Sequence, residues 1–368
     1  MDPKLAAALQ AALAEWRRQT DTVGVTMAVR LPAGGSWAGA AGLADRRRLV
    51  PLRPADRLRV ASITKMFVAT VVLGLVQDGV MRLEDPLARY VPGFPHADRI
   101  TIRQLLSHTS GVADYVGLPA FDRALRHDPN RAWQPEQIAA LAGRQPLRFA
   151  PGHDYSYSNT NYVLLGLAVQ AATHTPLVQL LHRRVFAPAG LGDTLLAGAE
   201  PVHGGIVHGY GRVNIYRAHP VADGKEHVYD GVPHQPGTLP YRAFETASAA
   251  PGGIVSTAPD LVRFATALFH GDLLHAATRE QMLTFGTDPY RYYSYGLGVQ
   301  LIATWAGPGW GHGGGMPGYS SILVDVPGSQ ITVAVLSNQE GRALGPLVDK
   351  VLQVLHAARH AFCDGRPC

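Results

Sequence analysis

Cysteine is nearly missing from this chain: the only two, Cys363 and Cys368, sit together at the C-terminal end. No disulfide framework can hold the body of the fold, so its stability must come from a packed core. In an oxidising compartment the pair could close a small loop; in the cytosol they are two thiols on a tail. Charged residues are sparse at 17%, which excludes a disordered, self-repelling chain. The formal charge of +5 comes mostly from scattered arginine, with no dense basic run interleaved with aromatics, so no nucleic-acid partner is expected. No apolar run is long enough to span a membrane; the best candidate, Met66 to Val76, is too short. The histidines at 203, 208, 219, 227 and 234 lack metal-ligand spacing, and there is no HExxH, so neither a metal nor a cofactor is expected. No G-x-S-x-G exists to supply a nucleophile elbow. Residues 313–318, GGGMPG, fit G-x-G-x-x-G, but Pro317 interrupts them and a strand follows where a dinucleotide site needs a helix.

What remains is a chain of 368 residues, 46% of them apolar, enough for a substantial core in one large domain or two. The first residues, MDPKLAAALQAALAEWRRQ, read as an amphipathic helix and not as a signal peptide. The expected location is cytoplasmic if Met1 is the native start, and periplasmic or secreted if a leader was removed. Residues 23–32 and 35–45 read as two strands around a Gly-Gly turn. Residues 101–111 read as a short helix ending at Gly111, and the stretch from there to about 250 as helices and long loops, dense in His, Pro and Gly between 198 and 240. Three strands are expected near the C-terminus, YYSYGLGVQLIA, YSSILVDV and QITVAVLSN, then a closing helix from about Leu344 to Ala361. The expected fold is α+β, an α/β sandwich. Segments 1–80 and 251–368 form an antiparallel sheet flanked by the terminal helices, segment 81–250 is an inserted, mostly helical region, and the active site lies at their seam.

The stretch that organises the rest is RLRVASITKMFVATVVLGLVQDGVM, residues 57–81. A short run ends at Ala61, and an apolar segment with helical spacing follows. Ser62 stands at the start of that helix, with Lys65 one turn further along the same face. A serine there can simply cap free backbone N–H groups. The lysine is harder to explain as surface decoration, because Ile63, Met66, Phe67 and Val68 surround it and the chain owns only three others, Lys4, Lys225 and Lys350. Desolvation lowers a lysine's pKa, and a neutral amine one turn from a hydroxyl can take its proton.

S-x-x-K alone is a weak signal. Two later triplets strengthen it: Tyr157-Ser158-Asn159 and His312-Gly313-Gly314 follow in order. With the phrases LLSHTSGV (105–112), YSNTNYVLLG (157–166), PGGIVSTAPDLVRFA (251–265) and GHGGGMPGYSS (311–321), the chain resembles the class C β-lactamase and D-alanyl-D-alanine carboxypeptidase family of penicillin-binding-protein-like serine hydrolases, from about residue 20 to 355. That family includes D-aminopeptidases, alkaline D-peptidases and esterases. The resemblance implies the β-lactamase and transpeptidase fold and an acyl-enzyme mechanism. Ser62 is then the nucleophile, and Lys65 and Tyr157 the basic pair, with the choice between them as proton acceptor left open. Asn159 would orient Lys65 and meet the substrate's acyl side chain. His312, neutral or protonated, would hold a substrate carboxylate or relay a proton. The N–H groups of Ser62 and Gly315 would form the oxyanion hole, and Gly314 would let an acyl substrate lie close to the strand.

One departure stands out. Carboxypeptidases and β-lactamases of that family usually carry Thr or Ser where this chain has Gly313, and that hydroxyl helps bind a terminal carboxylate. Its loss favours a D-amino-acid peptidase or amidase, with a carboxylesterase or β-lactamase as the alternative. A non-hydrolytic penicillin-binding sensor or scaffold is the alternative of another class. The expected partner is a small-molecule or short peptide or ester substrate; oligomeric state is not fixed by the sequence.

Overall fold

The computed structural model describes residues 1–32, 34–213, 222–230, 238–286 and 294–362. His219, His234, Cys363 and Cys368 lie outside them.

The strands at the two ends of the chain meet in one seven-stranded sheet. Its order is Gln300–Thr304, Gly307–Met316, Tyr319–Val326, Ile331–Ser337, Gly24–Arg30, Ser36–Asp45, Val50–Pro51. Each strand runs antiparallel to its neighbour. Alternation along each strand decides which face a side chain serves. Val25, Met27 and Val29, with Val333 and Val335, turn to one face, where Leu9, Leu13 and Trp16 of the first helix (Pro3–Gln19) and Val351 and Leu355 of the last (Gly345–Phe362) cover them. Ala28, Ala334 and Leu336 turn to the other face and join the larger core. A sheet covered on both faces needs apolar residues at nearly every position, which explains why its polar alternation is faint in the sequence. The antiparallel sheet with flanking terminal helices agrees with the expectation.

The helix Thr64–Gln77 runs through that larger core. Met66, Phe67, Val68, Val71, Val72 and Leu73 are all fully buried, so the helix is apolar all round because protein surrounds it. Phe67 stacks on Phe264 of the helix Ala258–Phe269 with ring centroids 3.7 Å apart. No single helix among the described residues is long and apolar enough to cross a membrane.

Three local expectations need correction. The helix expected over 101–111 covers only Ile102–Leu106: Thr101 and Gln104 form a capping box at its start, and His108, at φ +60°, cannot continue it. The stretch 198–240, expected as loop, holds a small sheet of Gly209–Val213, Ala222–Asp230 and Thr238–Pro240. Gly209 and Gly211, at alternate positions of its first strand, hide its period. The three expected C-terminal strands are four, because the glycine-rich stretch Gly307–Met316 is itself a ten-residue strand.

Candidate active site

Ser62 sits on a single turn of 3-10 helix, Ala61–Ile63, between the two-residue strand Leu58–Arg59 and the buried helix. The strand Ile254–Ser256 clamps that turn from both sides. Val60 N–H donates to Ile254 O (3.0 Å), and Ile254 N–H donates to Thr64 Oγ1 (3.0 Å). Ala61, immediately before the serine, takes φ +48°. This left-handed conformation costs a non-glycine residue about 1–3 kcal/mol, and it persists because the clamp holds it.

Two side chains reach the Ser62 hydroxyl. Lys65 Nζ lies 3.2 Å from Ser62 Oγ, and Tyr157 Oη donates to the same oxygen at 2.9 Å. Lys65 is fully buried, and Nζ donates to Asn159 Oδ1 (2.8 Å) and to the carbonyl of Pro251 (2.9 Å). A neutral amine has two N–H groups and one lone pair. Two acceptors take the N–H groups, and the lone pair is left for the Ser62 O–H. Burial lowers the Lys65 pKa to about 7, against an opposing pull from Asp114. Burial drives the Tyr157 phenol the other way, above its ordinary value, so Tyr157 is a proton donor at rest.

The glycine-rich strand brings the remaining residues. His312 is buried. Its Nδ1–H donates to the carbonyl of Gly313, and its Nε2 accepts from Tyr295 Oη at 3.0 Å. Burial lowers its pKa to about 3, so the imidazole is neutral with both nitrogens engaged. Pairing with Gln300–Thr304 ends at Gly311, and among the described residues no strand pairs with residues 312–316 on that side. Gly313 N–H points to that edge, where it donates to Gln300 Oε1 (2.9 Å). Successive amides alternate edges, so Gly315 N–H points the same way, into the cavity it shares with Ser62. Ser62's own N–H lies in the first turn of the helical segment that begins at Ala61, where N–H groups have no partner within the helix. A Cβ on Gly313 or Gly315 would find open space, whereas one on Gly314 would strike Ser321 Oγ and the carbonyl of Val60.

Ser62, Lys65, Tyr157, Asn159 and Gly315 meet around the Ser62 hydroxyl and its cavity, and Gly314 packs against the Ser62 turn; His312, expected to hold a substrate carboxylate or relay a proton, is instead buried with both nitrogens engaged and does not line the cavity. Sequence reasoning missed three members of the site. Asp114 accepts from Asn159; the Pro251 carbonyl takes a proton of Lys65; Tyr295 holds His312. Only the phrase PGGIVSTAP hinted at one of them. Among the described residues no cluster of His, Cys, Asp and Glu could hold a metal ion.

The cavity beside Ser62, about 170 Å³, is walled by Tyr115, Val116, Phe244, Met316 and Gly315. Behind it, Arg59 is buried against Glu245 (2.7 Å), its guanidinium over the Tyr241 ring at 4.3 Å.

The chain is similar to several known proteins. Penicillin-binding protein 4* of Bacillus subtilis (strain 168) is 28% identical over 307 residues, covering 81% of this chain but only 64% of its own length, less than two thirds. Esterase EstB of Burkholderia gladioli is 31% identical over 343 residues, 88% of this chain and 81% of the esterase. The crystal structure of D-amino acid amidase from Ochrobactrum anthropi SV3, complexed with L-phenylalanine amide, superposes with a TM-score of 0.82 at 27% identity, covering 96% of this chain and 99% of that one. The Beta-lactamase family profile matches residues 5–358, and the chain belongs to that family.

Proposed function

We propose that this chain is a serine hydrolase that cleaves amide or ester bonds through an acyl-enzyme on Ser62, with D-amino-acid amides and esters as its principal substrate class. One observation carries the reading: Ser62 Oγ lies between a buried amine that is half neutral near pH 7 and a phenol that donates to it. Lys65 takes the Ser62 proton as Oγ attacks the carbonyl carbon. The N–H groups of Ser62 and Gly315 receive the negative charge that develops on the carbonyl oxygen. Collapse breaks the bond to the leaving nitrogen or oxygen, which takes a proton from Tyr157, and the Lys65 ammonium then gives its extra proton back to the Tyr157 phenolate, whose ring lies 4.7 Å from Nζ. Water then attacks the acyl group along the same path in reverse.

The substrate class follows from what surrounds Ser62. Among the described residues no arginine walls the cavity, Arg59 is committed to Glu245, His312 is neutral and Gly313 has no hydroxyl. A free carboxylate on the leaving side would therefore lose its solvation without gaining a cation. Amides and esters carry no such charge. The name of the Ochrobactrum neighbour favours D-amino acid amides, and that of the Burkholderia relative keeps esters in the class.

The test is a panel run side by side: D-alanine p-nitroanilide, p-nitrophenyl butyrate, nitrocefin and an acyl-D-Ala-D-Ala peptide. Steady turnover of the first two, faster than of the last two, is expected. A single equivalent of product followed by silence on every substrate would mean a penicillin-binding sensor in place of an enzyme.

A further inference from the structure

Asn159 can stand in its place two ways round, and only one of them serves Lys65. Its Oδ1 faces Nζ at 2.8 Å, while its Nδ2 faces Asp114, 3.0 Å from Oδ2 and 3.3 Å from Oδ1. Turned over, the amide would set its oxygen against a carboxylate and its N–H groups against an amine. Asp114 is also tied into the backbone. Its Oδ1 accepts from Asn159 N–H (3.2 Å), in the first turn of the helix Asn159–Thr173, and from Val116 N–H (3.3 Å), in the single turn Tyr115–Gly117. Each recorded partner of the carboxylate is a donor, which suits its ionised form.

We infer that Asp114 is a positioning residue for the reaction: it fixes the Asn159 amide with its oxygen toward Lys65 and sets a negative charge beside the buried amine. Among the described residues, the other groups around Lys65 carry no charge that competes. His108 and His312 are buried with pKa values lowered, and Tyr157, half-buried, and Tyr162, fully buried, whose rings lie 4.7 and 5.4 Å from Nζ, are phenols with pKa values raised. Burial raises the Asp114 pKa, while the donors from Asn159 and Val116 and the neighbouring Lys65 oppose it. Asp114 does not line the cavity beside Ser62, so it acts through Asn159 and Lys65 and not on substrate.

The inference rests on the acyl-enzyme reading, and its test separates the two. The rate of Ser62 acylation by a fluorophosphonate is measured against pH in the parent, Asp114→Asn, Asp114→Ala and Ser62→Ala. Asp114→Asn keeps an acceptor oxygen but removes the charge, so the midpoint of the acid limb should move to lower pH by about one unit. Asp114→Ala also frees the Asn159 amide to turn over, and its plateau rate should fall by about tenfold or more. Simple loss of packing would lower the plateau and leave the midpoint where it was. An unmoved midpoint in Asp114→Asn, or an Asp114→Ala plateau within about twofold of the parent, overturns the inference and leaves the acyl-enzyme reading standing. Labelling that survives Ser62→Ala overturns both.

Discussion

Ser321 donates its hydroxyl to the carbonyl of Val60 at 2.7 Å, and Gly314 is what lets the glycine-rich strand sit against the Ser62 turn at that point. A Cβ on Gly314 would run into the Ser321 hydroxyl, stand 2.5 Å from Val60 O and 3.1 Å from Ala61 Cβ. Gly314→Ala should therefore push the strand off the turn, at a cost of about 1–3 kcal/mol. Oxyanion geometry goes with it, so ester turnover should fall by at least about tenfold in protein that still melts cooperatively. Parent-like activity in Gly314→Ala would show that the strand yields without moving Gly315.

The pH profile follows from Lys65. Its reactive form is the neutral amine, and its pKa is about 7. Below that value the amine is protonated, so kcat/KM should fall on the acid side, by about tenfold per pH unit. Tyr157 is shifted upward by burial and should add no fall-off at moderately basic pH. Lys65→Arg holds a permanent cation there and should cost on the order of 10² or more in kcat. A parent profile flat from pH 5 to about 8 would remove Lys65 from the role of base.

Gly313 tests the substrate class. A Cβ there would meet nothing nearer than Gln300 Oε1 at 3.8 Å, so a threonine has room. The matched pair is an acyl-D-Ala-D-Ala peptide and its C-terminal amide. The parent should prefer the amide, and Gly313→Thr should move kcat/KM toward the free acid by about tenfold or more, as a charge-assisted hydrogen bond is added. A parent that prefers the free acid by about tenfold would make a carboxypeptidase the better assignment.

Stability should depend heavily on the ion pair behind the cavity. Arg59 is 2% exposed and Glu245 13%. Glu245→Ala leaves a buried guanidinium without its counter-charge and should cost about 3–5 kcal/mol in denaturant melts. The double variant Arg59→Met with Glu245→Leu should recover much of that loss, because it removes the charge that lacks a partner. Equal melts for Glu245→Ala and the double variant would contradict this account.

Much of this site was legible in the sequence because its parts are local. Ser62 and Lys65 share a helix face, so their spacing alone places them together. Tyr157, Asn159 and His312 lie far along the chain; only the order of recognisable triplets linked them to Ser62. Asp114 stayed hidden because nothing in GVADY distinguishes a buried carboxylate from a turn residue. Its meaning arises only when the fold sets it behind Asn159. The strand Gly307–Met316 was obscured by its six glycines, of which Gly314 lets it sit against the Ser62 turn, and Gly209 and Gly211 likewise concealed the first strand of the small sheet near 209–240. The buried pairing of Arg59 with Glu245 joins residues 186 apart, which no local pattern announces.

The central claim is a covalent acyl-enzyme on Ser62. Intact mass measured after brief mixing with p-nitrophenyl butyrate, followed by peptide mapping of the quenched protein, tests it most directly. One butyryl group on the peptide containing Ser62, absent in Ser62→Ala and decaying as product forms, is the predicted result. An adduct on another residue, or undiminished turnover in Ser62→Ala, would contradict it.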